Sequence, residues 1–314
     1  MKSFLTLSIL FNITYITSAR RISCHACLNS VCYKRSTILK GHKFSGQLAV
    51  DRNVNLLYFH YQNNQSMDFT GAFDLEKVKL TNIPNTGFTF GRAVDQSTRD
   101  LYTSGAQGIY KYNPIENTTA LFGIKDKTIW HIQYEDKLYY TEFRKKGLYT
   151  YVDRKFKDIP ELAEYQIDDF IIDKKGDIYF MSNYVTRVLR KGAKKAEIFE
   201  DEIYSLTTDN NGNAYFIQPY TRGVYCLSYR TGKLVEIGAF NKISPFKLVF
   251  DGDNNIVYYD ATNRSLFYLS PTLNKCSVAA RGKHRKMFIA TASRKHKNHK
   301  KDNSSSIKNI TKII

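Results

Sequence analysis

A short unit recurs six times along this chain: a few apolar residues, an acidic residue, a polar turn, then a hydrophobic stretch centred on tyrosine. It runs Leu48-Ala49-Val50-Asp51 before Leu57-Tyr58-Phe59, Ala93-Val94-Asp95 before Leu101-Tyr102, and Ile132-Gln133-Tyr134-Glu135 before Leu138-Tyr139-Tyr140. It returns as Phe170-Ile171-Ile172-Asp173 before Ile178-Tyr179-Phe180, Leu206-Thr207-Thr208-Asp209 before Ala214-Tyr215-Phe216, and Leu248-Val249-Phe250-Asp251 before Ile256-Val257-Tyr258. The acidic markers lie 44, 40, 38, 36 and 42 residues apart. A period of roughly 40 to 45 residues with several short strands per unit is that of a propeller blade. Gly and Asn fill the turns, as in Asp209-Asn210-Asn211-Gly212, where a hairpin needs positive φ. The repeated Asp is therefore read as turn chemistry, a side chain bonding the backbone two residues on. Calcium loops are not expected at Asp251-Gly252-Asp253 or Asp209-Asn210-Asn211, because the remaining oxygen ligands and the distal Glu are missing.

A third strand follows in most units, seen as 108–112, 147–151, 223–227 and 265–269, and a fourth at 120–123, 196–199 and 234–238. The expectation is an all-β, six-bladed β-propeller with four-stranded blades over 36–280. A barrel or sandwich would alternate in the same way but gives no reason for six matching units. With 23 Tyr and 20 Phe against four Met and one Trp, the composition fits half-buried pleated surfaces.

The flanks differ from the body. Residues 1–19 carry Lys2, an apolar run from Phe4 to Phe11, and Thr17-Ser18-Ala19, the pattern of a cleaved secretory signal. The apolar run is much shorter than the roughly 20 residues of a membrane-spanning helix. Residues 20–35 form a Cys-containing N-terminal segment with Cys24, Cys27 and Cys32, while Cys226 and Cys276 stand far away. Five cysteines allow at most two bridges and one free thiol, and a bridge from the trio to Cys276 would tie one end of the body to the other. Sequons at Asn64, Asn117, Asn263, Asn303 and Asn309 suit a secreted, extracellular protein. Residues 281–314 hold eleven Lys and Arg against one acid, much of the net charge of +18. This tail is read as disordered, with an anionic glycan or surface as its partner; nucleic acid is not expected outside the cell.

A propeller binds ligands in its central channel, lined by the innermost strands and the loops entering them. The residues just before each apolar-Asp unit should face it: Phe44-Ser45, 88–92, Trp130-His131, Asp168-Asp169, Tyr204-Ser205 and Phe246-Lys247. Among them Phe90, Arg92, Trp130, His131, Tyr204, Phe246 and Lys247 are the candidate ligand-binding residues. Aromatic rings beside cations suit a flat, anionic, conjugated molecule. Arg92 and Trp130 lead, since Arg is costly to bury without a partner and Trp130 is the single tryptophan. No catalytic residue, metal or cofactor is assigned, as there is no Gly-x-Ser-x-Gly elbow, His-Glu-x-x-His helix or phosphate loop.

The stretches Gly91-Arg92-Ala93-Val94-Asp95, Gly108-Ile109-Tyr110-Lys111-Tyr112 and Ile129-Trp130-His131-Ile132-Gln133-Tyr134, in that order, resemble the insect ommochrome-binding protein family, over about Gly41 to Tyr268. The cysteine-rich start and the basic tail depart from it. The resemblance implies a haemolymph carrier of tryptophan-derived phenoxazinone pigments or their precursors, binding without catalysis. Two rivals differ in class. One is a calcium-dependent lactonase or esterase of the gluconolactonase and paraoxonase type, with Glu142, Asn183, Asp168, Asp169 and Asp260 as candidate ligands that must converge at one channel end. The other is an extracellular propeller that binds protein or glycan through its tail.

Overall fold

A computed structural model describes residues 24–276, apart from 106, 125–126, 153–154, 202, 204, 219, 243–244, 246 and 261. The expected signal at 1–19 and the basic tail at 281–314 lie outside the described residues. The described chain is all-β, its one helical element a 3-10 turn at Pro160–Leu162.

Strands β1 (Ala26–Leu28) and β2 (Val31–Lys40) come first. Four sheets of four strands follow. They are β3 (Lys43–Asp51), β4 (Leu56–Gln62), β5 (Asp68–Asp74) and β6 (Lys79–Asn82); then β7 (Arg92–Val94), β8 (Leu101–Gly105), β9 (Gly108–Asn113) and β10 (Thr118–Gly123). The third comprises β11 (Ile129–Tyr134), β12 (Leu138–Glu142), β13 (Tyr149–Val152) and β14 (Lys155–Asp158), and the fourth β15 (Asp169–Ile172), β16 (Ile178–Ser182), β17 (Val185–Leu189) and β18 (Glu197–Asp201). The remaining strands are β19 (Ser205–Thr208), β20 (Ala214–Gln218), β21 (Gly223–Ser228), β22 (Lys233–Phe240), β23 (Lys247–Phe250), β24 (Ile256–Asp260) and β25 (Ser265–Lys275).

Where the repeat leads one to expect equal four-stranded units throughout, these last strands join β1 and β2 in one nine-stranded sheet, ordered β19-β20-β21-β22-β1-β2-β25-β24-β23. The segment set apart as Cys-containing thus supplies strands to the body. β2 lies antiparallel to β25, with Lys40 opposite Ser265 and Lys34 opposite Ser270, and β1 fastens β2 to β22. Gly238 permits that last contact, since a Cβ there would overlap the Cys27 carbonyl. Disulfides reinforce the seam: Cys24 bonds Cys32 and Cys27 bonds Cys276, leaving Cys226 as a thiol.

The first strand of each run adjoins the next in a closed circuit, β3 beside β7, then β11, β15, β19, β23 and β3 again. β7 and β15 are buried throughout, whereas β6 and β14 are largely exposed, so each sheet runs from an inner to an outer strand. The hydrophobic stretch of each unit forms the second strand and is covered on both faces. Phe59 packs with Val257 and Leu266 where the first sheet meets the last strands, and Phe170 and Phe180 pack with Tyr139 and Leu148. Each such side chain contributes roughly 1.5–3 kcal/mol by leaving water.

The repeated Asp residues are turn acceptors. Asp173 Oδ1 accepts the N–H groups of Lys175 and Asp177, Asp209 Oδ1 those of Asn211 and Asn213, and Asp251 Oδ1 those of Asp253 and Asn255, all at 2.8–3.0 Å. All three are buried. They fix the hairpins at one end of the inner strands, which leaves the opposite, N-terminal ends to form the channel mouth. Arg52 closes the turn end, its Nη2 reaching across to the Thr208 carbonyl at 2.8 Å.

Candidate functional site

The N-terminal ends of the inner strands carry the candidate residues. Phe90 precedes β7 and Arg92 opens it; Trp130 and His131 lie in β11, and Lys247 opens β23. Tyr204 and Phe246 lie outside the described residues.

Backbone geometry at β3 organises this end. Gly46, at φ +71°, sits in a bulge so close to Phe90 that a Cβ would overlap the Phe90 carbonyl. Gln47 N–H then donates to that carbonyl at 2.9 Å. The Gln47 side chain continues across two neighbouring strands. Its Oε1 accepts from Arg92 N–H at 3.1 Å and Ile132 N–H at 2.8 Å, and its Nε2 donates to the Ile132 carbonyl at 3.1 Å. One amide therefore clamps β3, β7 and β11 together.

Arg92 is 1% exposed and the largest fully buried side chain among the described residues. Its Nη1 donates to the Gln47 carbonyl, and its Nη2 to the Thr89 carbonyl at 3.1 Å and Thr89 Oγ1 at 2.8 Å. Its ion-pairing capacity is unused: among the described residues no carboxylate bridges to it, and Nε has no partner. Burial pushes its pKa down to about 9, with the nearby Tyr259 acting weakly the other way, so it stays cationic at neutral pH.

Across the mouth, Asp169, at the head of β15, takes the other two candidates. Lys247 Nζ bonds its Oδ2, and His131 Nδ1 lies 3.0 Å from its Oδ1, off the line of a straight hydrogen bond. Burial alone would raise the Asp169 pKa, but Lys247 and His131 outweigh it and hold the carboxyl at about 2. His131 is pushed down, first by burial; Asp169 opposes that shift, while Lys247 and Arg92 add to it. With the imidazole neutral, the Arg92 guanidinium and the Lys247 ammonium stand against two carboxyls, Asp169 and Asp168, the latter with its pKa pushed up by burial and by Asp169 while Lys247 opposes. The cation without a carboxylate partner among the described residues is Arg92, the group here that attracts an anion.

Aromatic rings form its rim. Phe90 and Trp130 stack on each other, centroids 3.8 Å apart and planes 16° from parallel, and Phe143 continues the row at 5.0 Å from Trp130. Trp130 Nε1 donates to the Asp168 carbonyl at 3.0 Å, fixing the indole. Phe90 fills one side of Trp130, Phe143 tilts against it as well, and the Arg144 guanidinium lies over the Phe143 ring at 4.9 Å from its centroid, so the three rings form a half-buried row. The channel behind it, lined in part by Gln47, Arg92, His131, Asp169 and Lys247, encloses about 150 Å³. That is too little for a multi-ring ligand, whose pockets usually hold ~300–1,000 Å³. An open recess of about 510 Å³ near Tyr165, Arg187 and Ile198 contains none of the seven candidate ligand-binding residues, though Asn183 of the calcium set lines it.

Of the five carboxylate and amide ligands proposed for calcium, three have side chains engaged with separate partners. Glu142 pairs with Lys127 at 2.6 Å and Lys145 at 3.3 Å; Asp169 is held as above; Asp260 accepts from Asn263 at 2.6 Å. Asn183 sits at the β16–β17 turn with φ +52°, and Asp168 contributes its carbonyl to Trp130. Among the described residues no three His, Cys, Asp or Glu side chains come together as a metal site. Reading the sequence missed Gln47, whose only signal was its place between Ser45 and the first apolar-Asp unit.

No protein-family model matches the sequence. The chain is similar to the ommochrome-binding protein of Manduca sexta, 23% identical over 224 residues, 69% of this chain and 81% of that protein, which supports a family-level relationship. Among solved structures it is similar to a gluconolactonase from Xanthomonas campestris, with a TM-score of 0.60 at 10% identity, covering 80% of this chain and 96% of that one. It is also similar to an auxiliary nutrient binding protein from Bacteroides ovatus, with a TM-score of 0.58 at 12% identity, covering 77% of each chain. These structural likenesses agree with a propeller-like arrangement of four-stranded sheets and, at such identities, speak to the fold alone.

Proposed function

We propose that this chain is a secreted six-bladed β-propeller that carries a small, flat, anionic aromatic metabolite, an ommochrome-type phenoxazinone pigment or its precursor, without transforming it. The observation that carries this reading is Arg92: a buried guanidinium with no carboxylate partner among the described residues, beside the Phe90–Trp130 wall. The relative from Manduca sexta, an ommochrome-binding protein by name, supports the ligand class.

Size decides the pose. The ligand's acidic group enters the channel toward Arg92 and Lys247, while its ring system stays at the mouth against Trp130 and Phe143. The six-blade count rests on the sequence repeat and on the circuit of inner strands, with β2 completing the last blade beside β25. A secretory signal at 1–19 accords with two disulfides, and among the described residues no helix is long and apolar enough to cross a membrane. The tail at 281–314 supplies contact with anionic glycans; salt-sensitive heparin retention that vanishes on its removal is the expected result.

The carrier reading is tested by the visible spectrum of protein from its native fluid and by titration of stripped protein with xanthommatin. A copurifying chromophore or saturable quenching of Trp130 supports it. A colourless protein that ignores phenoxazinones and opens lactones in the presence of calcium overturns it.

A further inference from the structure

Three side chains on the first sheet form a chain that the carrier reading does not use. Ser45 on β3 lies directly opposite His60 on β4 in the strand register, and Asp68 opens β5 alongside. Ser45 Oγ and His60 Nδ1 are 2.7 Å apart, and His60 Nε2 is 3.1 Å from Asp68 Oδ1. The Asp68 carboxylate can only accept, so the proton of the neutral imidazole resides on Nε2. Nδ1 then offers its lone pair to the Ser45 hydroxyl, the tautomer a general base requires. His60 is 3% exposed, while Asp68 is one-third exposed and Ser45 half-buried, so both ends of the relay lie nearer solvent than the imidazole between them.

We infer that Ser45, His60 and Asp68 form a nucleophile, base and orienting carboxylate that cleave small aryl esters. Ser45 Oγ bonds to the ester carbonyl carbon while its proton passes to His60 Nδ1. The acyl–oxygen bond then breaks, and the departing phenoxide takes that proton. Water adds to the acyl-Ser45 carbon, giving its proton through His60 to Ser45 Oγ as the carboxylic acid leaves. Arg92, whose charge acts on the His60 ring, supplies positive potential for the transient oxyanion. The aryl preference follows from the surroundings. Phe88 meets the His60 ring edge-on at 4.9 Å and is 56% exposed, an apolar wall for a flat leaving group. Burial and Arg92 lower the basicity of His60, Asp68 opposing them, which favours leaving groups that depart readily, such as phenoxides.

The test treats the full-length protein with 4-nitrophenyl acetate and, separately, with a fluorophosphonate serine probe read by mass spectrometry. The expected result is hydrolysis that falls roughly 100-fold in Ser45→Ala and in His60→Gln, with the probe adduct on Ser45. Asp68→Asn should lose activity and Asp68→Glu regain part of it, as positioning requires. Urea midpoints establish that each variant is folded. Absence of an adduct on Ser45 in the unaltered protein, or equal hydrolysis by folded Ser45→Ala, overturns the inference. The inference does not rest on the pigment reading: quenching of Trp130 by xanthommatin in Ser45→Ala reports on that reading separately.

Discussion

Gln47 and Arg92 are bonded to each other through opposite groups. The Gln47 side-chain oxygen accepts the Arg92 backbone N–H, and the Gln47 backbone carbonyl accepts the Arg92 guanidinium. The cation is thus positioned by neutral acceptors, and its charge remains for a ligand.

Arg92→Met keeps much of the side-chain volume and removes that charge. Phenoxazinone affinity should fall ~10- to 100-fold, since hydrogen bonds to charged groups contribute about 1.5–3 kcal/mol. Fluorescence titration of Trp130 measures it, and unchanged affinity would remove Arg92 from the pocket.

Trp130→Ala strips the centre of the aromatic row. A loss of ~0.5–1.5 kcal/mol of stacking corresponds to a several-fold weaker Kd, with Trp130→Phe recovering most of it. Calorimetry is the appropriate readout, because the variants lack the only tryptophan.

Gln47→Ala should destabilise the fold by ~1–3 kcal/mol, because it leaves buried backbone groups of Arg92 and Ile132 without their partner. Urea unfolding checks this. The midpoint should drop with little change in slope, as the clamp orders strands that are packed in any case.

Asp169 gives the fold a defined acid sensitivity. Its folded pKa, about 2, lies below the ordinary carboxyl value of 3.8, so its contribution is complete above about pH 4 and is lost as pH falls through 2. The stability gap between the unaltered protein and Asp169→Asn should therefore be constant near neutrality and close below pH 4, as followed by thermal unfolding across pH.

Asp173, Asp209 and Asp251 were legible as turn acceptors because their partners lie two and four residues on, within the reach of local pattern. Arg92, Trp130, His131 and Lys247 were legible as mouth residues because the repeat fixes where inner strands begin. Their grouping was not. The pairing of His131 and Lys247 on Asp169 joins residues 38 and 78 positions from it, and nothing near any of them announces the others. Phe90 and Trp130 looked like two ligand platforms and are instead each other's stacking partner. The role of β2 was hidden for the same reason, since its partner β25 begins 225 residues after Lys40. The cysteine spacing left several pairings open, and the choice between them is made by strand order alone.

The antiparallel pairing of β2 with β25 also sets a clock on biosynthesis. β2 can pair with β1 at once, but it cannot find β25 until nearly the whole described chain has been made, and its other edge must wait unsatisfied. Intermediate sheets can form in order of synthesis, but the seam closes only at the end, and the Cys27–Cys276 bond with it. A chain that stalls before Ser265 therefore presents an open edge and an unpaired Cys27 thiol to the folding machinery of its compartment, a mark by which unfinished molecules differ from finished ones.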